Sequence, residues 1–160
     1  MNQKPSSGTL PVNQPVNIEA LESRHYDDWL RLWEGYQAFY KVEIPQSTTD
    51  VTWQRLLDGE QPMRGALAVC DGHVVGMVHW IFHRSTWTIG DYCYLQDLFV
   101  DQRVRGTGAG RALIEYVYGQ ARRAKASRVY WLTHESNTSA MLLYDRIADK
   151  SGFIQYRIAL

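Results

Sequence analysis

The sequence is short of cysteine. Cys70 and Cys93 are two in 160 residues, and neither belongs to a CxxC pair, which excludes a disulfide framework. Both read as small core or sheet residues in a reducing compartment. An excess charge of one sign is also missing. Seventeen Lys and Arg balance seventeen Asp and Glu, so nothing in the composition suggests an electrostatic grip on nucleic acid or on a membrane. No apolar run is long enough to span a bilayer: Val74 to Phe82 is about half the required length and is interrupted by Gly76 and His79. The first twenty residues lack the apolar block of a signal peptide. The expectation is a cytoplasmic protein. No metal site is expected either, because His79 and His83, four apart in a strand, stand about 13 Å from each other. There is no persuasive Ser–His–Asp order or nucleophile elbow.

What is present suits one globular domain, with 45% hydrophobic and 21% charged residues. Residues 1–14 are polar with two prolines and read as a flexible segment, leaving 15–160 as the domain. A short strand is expected around Val16–Leu21. From His25 to Tyr40, Trp29, Leu32, Trp33, Tyr36 and Tyr40 recur at helical spacings, although Gly35 interrupts the stripe. A second short helix follows Pro45 and runs through Leu57. GALAVC (65–70) and HVVGMVHWIF (73–82) flank Asp71-Gly72 and predict a hairpin. Further strands are expected over Tyr92–Val100, Arg128–Thr133 and Gly152–Ile158, and helices over Gly108–Lys125 and Asn137–Ala148. Strand, Gly-rich loop, helix and strand between Leu95 and Thr133 form a right-handed βαβ unit. The whole is an α/β fold with a mixed sheet.

The sharpest local signal is the loop Arg103-Val104-Arg105-Gly106-Thr107-Gly108-Ala109-Gly110-Arg111 between a strand and a helix. Its glycines let the main chain turn tightly and approach a ligand, and the first-turn N–H groups converge with the helix dipole behind them. Arg105 and Arg111 can add charge-assisted contacts to an anion. The spacing fits neither GxxxxGK[ST] nor the dinucleotide pattern GxGxxG. A diphosphate-type ligand is the reading, with a plain tight helix entry as the alternative.

Arg103-x-x-Gly106-x-Gly108 after a strand resembles the acetyl-coenzyme A motif of the GCN5-related N-acetyltransferases. YLQDLFV (94–100), VYWLTHESN (129–137) and Ala140-x-x-x-Tyr144 extend the resemblance in the family's order over about residues 90–158. Within the family the strings look most like yeast-type histone and polyamine acetyltransferases and like diamine and thialysine acetyltransferases. The resemblance implies a single domain with a mixed central sheet flanked by helices on both sides. It also implies acetyl-CoA as cofactor, and a small-molecule amine or a lysine side chain as acceptor (polyamine, amino acid or lysine-type), attacking directly in a ternary complex. It further implies a homodimer associating through C-terminal segments.

Residue by residue, the resemblance implies that the main chain of Leu98, Phe99 and Val100 pairs with the pantetheine arm. The loop from Arg105 through Gly106, Thr107, Gly108, Ala109 and Gly110 to Arg111 would take the diphosphate, and Asn137 would reach the arm as well as cap its helix. Tyr144 is the candidate acid for the departing thiolate; an ordinary phenol near pKa 10 is protonated at neutral pH. The acceptor presents a second requirement, since only about one alkyl amine in 2,500 is neutral at pH 7. Diamine acetyltransferases of the similar type carry Glu-Asp in the cofactor strand, whereas this chain has Gln96-Asp97, and Gln96 cannot take a proton. Asp97 is the candidate base or substrate-orienting carboxylate. By strand parity it faces the opposite side unless a bulge intervenes. The aromatic wall of Trp29, Trp33, Tyr36 and Tyr40 either grips the acceptor or covers the core. The alternative function is a non-catalytic acyl-CoA-binding sensor or interaction domain, for which Gln96 is the one supporting feature.

Overall fold

The computed structural model describes residues 15–104 and 106–160; the flexible segment expected over 1–14 and the candidate phosphate ligand Arg105 lie outside them. Five strands form one sheet in chain order: β1 (Val16–Ala20), β2 (Met63–Cys70), β3 (His73–His83), β4 (Tyr92–Val100) and β5 (Arg128–Tyr130). The first four are antiparallel neighbours, and β5 joins β4 in parallel. The β2–β3 turn is made by Asp71 and Gly72, both at positive φ (51° and 73°), the mirror-image turn that follows the twist of a hairpin. Helices α1 (Tyr26–Tyr40) and α2 (Gln46–Leu57) connect β1 to β2. Helix α3 (Ala109–Arg123) makes the crossover from β4 to β5, and α4 (Thr138–Ile147) follows.

The two faces of the sheet bury different side chains, as strand alternation requires. On one side Trp29, Leu32 and Trp33 of α1 and Leu56 of α2 pack on Leu67 and Met77. On the other, Leu113, Ile114 and Val117 of α3 cover Ala66, Val78, Trp80, Cys93 and Leu95, with Leu143, Tyr144 and Ile147 of α4 against the same core. The sheet is therefore mixed and flanked by helices on both sides. Gly35 does not break α1. Its Cα faces the Phe99 ring so closely that a β-carbon there would stand 2.9 Å from it, so the glycine lets the helix lie directly on β4.

Two departures from the sequence reading matter for the site. The strand expected over 128–133 ends at Tyr130, because residues 131–134 turn away from β4. The strand expected over 152–158 is not formed, and no helix or strand follows Ile147 among the described residues. A sixth strand needs a regular edge to pair with, and a three-residue β5 offers too little of one.

Candidate active site

The strand β4 carries one extra residue. His79 pairs with Asp97 and Trp80 with Leu95, so Gln96 bulges between two ladder positions. The bulge resets strand parity. Leu95 and Leu98, three apart, both pack on the α3 side, while Asp97 and Phe99 turn toward α1. Asp97 thereby faces α1, the exception that simple alternation leaves open.

Pairing between β4 and β5 ends at Tyr94–Tyr130, and beyond it the two segments splay. The Asp101 N–H donates to the Val75 carbonyl on β3 at 2.8 Å. By two-residue periodicity Phe99 directs its main-chain groups toward β3, and Leu98 and Val100 direct theirs toward the side that β5 has left. A cleft of about 690 Å³ opens there. Tyr36, Tyr40, Tyr94 and Gln96 line one side, and Trp131, Thr133, His134 and Tyr144 the other. Gln155 and Arg157 of the C-terminal segment also reach it.

The glycine loop lies at the start of α3. Gly106 (φ 85°) and Gly108 (φ 88°) occupy the left-handed region that L side chains rarely adopt, and a β-carbon on either would meet no atom within 4 Å. The demand for glycine is thus conformational, not steric. The Thr107 hydroxyl donates to the Val104 carbonyl at 2.8 Å and pins the turn. Gly108 is the N-cap of α3 and offers no side chain to its first N–H groups, so Ala109, Gly110 and Arg111 begin the helix without a side-chain cap. An uncapped helix start behind an open turn fits a diphosphate. Arg103 and Arg111 are less available than the sequence suggests. Arg103 is tied to Asp101 at 2.6 Å, and Arg111 pairs with Glu115 at 2.7 Å.

Asn137 occupies the N-cap of α4, but its side chain makes no capping bond. It donates instead to the Thr133 hydroxyl at 3.2 Å, which corrects the expected capping role. His134 accepts the Ser136 N–H at Nδ1 and so is occupied within its own turn.

Tyr144 packs edge-on against Trp131, with ring centroids 5.4 Å apart. Burial, with a smaller contribution from Tyr40, pushes its pKa up to about 12. Tyr36, Tyr40 and Tyr94 are also raised, first by burial and then by the negative charge of Asp97. Asp97 is buried, with its Oδ2 3.0 Å from Nδ1 of His79. The Nε2 of the same imidazole accepts the Trp29 indole N–H at 2.8 Å. The aromatic wall divides in two: Trp29 and Trp33 are core, while Tyr36 and Tyr40 face the cleft. Sequence reading missed His79, Arg157 and Gln155. For His79 one signal existed, a lone polar ring in the otherwise apolar run VVGMVHWIF.

A parted β4–β5 pair, a glycine turn opening α3 and a tyrosine on the cleft together leave one side of β4 uncovered. The profile of the acetyltransferase (GNAT) family matches residues 29–148, and the chain belongs to that family of acetyl-CoA-dependent N-acetyltransferases. It is 34% identical over 148 residues to the D-amino-acid N-acetyltransferase HPA3 of Saccharomyces cerevisiae, covering 91% of this chain and 92% of the relative. Among solved structures, the ribosomal-protein-alanine N-acetyltransferase from Brucella melitensis biovar Abortus 2308 superposes with a TM-score of 0.76 at 22% identity, covering 91% of this chain and 100% of the other. AAC(6')-Iy in complex with a CoA bisubstrate analogue gives 0.78 at 16% identity, covering 91% and 99%. At such identities the two structures share the fold with this chain. No helix among the described residues is long and apolar enough to cross a membrane.

Proposed function

We propose that the protein transfers an acetyl group from acetyl-CoA to the primary amine of an amino acid. Bound acetyl-CoA supplies the acetyl group as a thioester. The Gly106–Arg111 turn would hold its diphosphate, with Arg105 assigned to the same anion by sequence alone. The main chain of Leu98 and Val100, and the Asn137 amide, would hold its arm; Phe99, whose main-chain groups face β3, drops out of the expected set. The observation that carries the reading is Tyr144, a partly buried phenol on the cleft where β4 and β5 part. Like any phenol it is protonated at neutral pH, and its proton is available to a sulfur that gains charge as the carbon–sulfur bond breaks. Asp97 serves the acceptor side, taking or orienting the proton that the ammonium must lose before the neutral amine attacks. Gln96 cannot do this.

Of the acceptors that family resemblance allows, two features favour an amino acid over a polyamine. Arg157 reaches the cleft with no carboxylate partner among the described residues, and no Asp or Glu joins it on the lining. A guanidinium there suits an acceptor that carries a carboxylate beside its amine. The yeast relative is itself named for amino-acid acetylation. The reading extends to a homodimer, supported by the exposed side chains of Phe153, Ile154, Tyr156 and Ile158. It also extends to the cytoplasm, supported by two free buried cysteines. Thiol release from acetyl-CoA, measured side by side with D- and L-amino acids, spermidine, an aminoglycoside and a lysine-rich peptide, tests the assignment. Amino acids should give the highest kcat/KM. Preference for spermidine would overturn the acceptor, and tight acetyl-CoA binding without thiol release from any amine would turn the reading toward an acyl-CoA sensor.

A further inference from the structure

Beneath the acceptor side of the cleft lies a buried polar chain of which the chemistry above uses Asp97 alone. Three side chains from three elements form it: Trp29 on α1, His79 on β3 and Asp97 on β4. Trp29 is fully buried, His79 is 2% exposed and Asp97 7%. The Trp33 ring lies 5.5 Å from the imidazole, so His79 is enclosed by indoles on the helix side. The hydrogen-bond inventory fixes the direction of this chain. An indole Nε1–H can only donate, so Nε2 of His79, 2.8 Å away, must be the acceptor and carries no proton. The ring proton therefore sits on Nδ1 and is donated to Oδ2 of Asp97 at 3.0 Å.

We infer that His79 is a positioning residue for acetyl transfer, locked by Trp29 in the Nδ1–H tautomer so that it holds the Asp97 carboxylate toward the acceptor side of the cleft. The inference rests on the reading of Asp97 as the acceptor-side carboxylate. The geometry explains why a carboxylate is kept in the interior of a sheet at all. Without a donor from beneath, an interior carboxylate would lack a partner for one of its oxygens. The bulge at Gln96 brings Asp97 opposite His79, and Trp29 leaves the imidazole one hydrogen-bonding arrangement. The second face of Asp97 is toward the Tyr36 phenol, which lines the cleft. Asp97 does not itself line the cleft, so it acts from behind the Tyr36 phenol, as a carboxylate already oriented.

Two substitutions separate positioning from packing. Asn places its amide donor at the δ position and so replaces Nδ1–H, but gives up the bond to Trp29. Gln places its carbonyl acceptor at the ε position, keeping the Trp29 bond, but gives up the δ donor. With acetyl-CoA and the best acceptor, His79→Asn should keep kcat within about threefold of the parent. His79→Gln should lose at least about tenfold of the general acid–base contribution of roughly 10²–10⁴, with little change in acceptor KM. Equal kcat for the two variants, or the better rate in His79→Gln, would overturn the inference. Independently of turnover, nitrogen-15 NMR of the parent should show His79 protonated at Nδ1 and not at Nε2, and the opposite tautomer overturns the wiring even if neither variant folds. Asp97→Asn separates this inference from the reading beneath it. Unchanged turnover there removes Asp97 from the chemistry, whereas a large loss there with equal His79 variants removes only His79.

Discussion

Tyr144 and Arg157 face the same cleft with opposite demands on their surroundings. The phenol is partly sheltered from solvent, and burial raises its pKa to about 12. Tyr144→Phe removes the hydroxyl and leaves the ring against Trp131. We expect kcat to fall about 10²-fold or more, with the acetyl-CoA dissociation constant within about twofold of the parent, by stopped-flow turnover and calorimetry. Loss of binding and turnover together would make the residue a packing element. The guanidinium is useful because it is exposed. Arg157→Gln should raise KM for amino acids by about ten- to a hundredfold, the worth of a charge-assisted hydrogen bond, and leave KM for the matching amines without a carboxylate unchanged. Equal changes for both acceptor types would place Arg157 outside the recognition site.

At the scale of elements, the hairpin, α1 and α3 were legible because each depends on local chemistry. Asp71-Gly72 supplies two positive-φ residues in succession, and the apolar stripe of α3 falls on one face. Strand parity at Asp97 was not legible in full, since the bulge that resets it depends on the register between β3 and β4, a relation between residues 18 apart. The same holds for the His79–Asp97 contact. The ends of β5 and of the chain were misread for a related reason: alternating apolar residues describe a capacity to pair, and whether an edge is available is decided elsewhere in the sheet. The glycine turn belongs to the legible group, and its φ values give it a direct test. Gly108→Val forces a β-branched residue to φ 88° at the start of α3, a conformation that costs such a residue about 1–3 kcal/mol. The local geometry should relax away from it, weakening acetyl-CoA binding by about ten- to a hundredfold in calorimetry while the far-ultraviolet spectrum is retained. An unchanged dissociation constant would mean that the turn does not hold the diphosphate.

Across the whole molecule, four tyrosines on or beside the cleft share one response to pH. Tyr36, Tyr40, Tyr94 and Tyr144 all have their pKa raised by burial in the folded state, while in the unfolded chain they return to about 10. Below that value the folded and unfolded states hold the same phenolic protons, and the contribution to stability is complete. As pH rises from about 10 toward the value of about 12 at Tyr144, the unfolded chain releases protons that the folded protein keeps, so stability must fall. Urea midpoints should be flat from neutral pH to about pH 9 and should drop steeply above pH 10, together with the tyrosinate absorbance. The Tyr36→Phe variant, by removing one of these groups, should soften the drop; an identical profile would show that this phenol is no harder to ionise when folded.

The proposed association also belongs to this scale, because the described residues after Ile147 form neither helix nor strand. Residues 148–160 pair with no strand, yet Phe153 is 78% exposed, Ile154 76% and Ile158 88%. These apolar side chains lie on a segment without helix or strand, and pairing with the equivalent segment of a second copy would supply both hydrogen bonds and burial. Sedimentation at micromolar concentration should give a dimer for the parent. The pair Ile154→Asp and Ile158→Asp places like charges where the two copies would meet and should shift the species to monomer, leaving Arg157 and Gln155 in sequence beside the cleft. Acetyl-CoA affinity should survive this dissociation, since the glycine turn and the free edge of β4 lie within one chain. A parent that sediments as a monomer would refute the dimer. Loss of amino-acid KM on dissociation, with cofactor affinity intact, would show that pairing holds the Arg157 segment against the cleft.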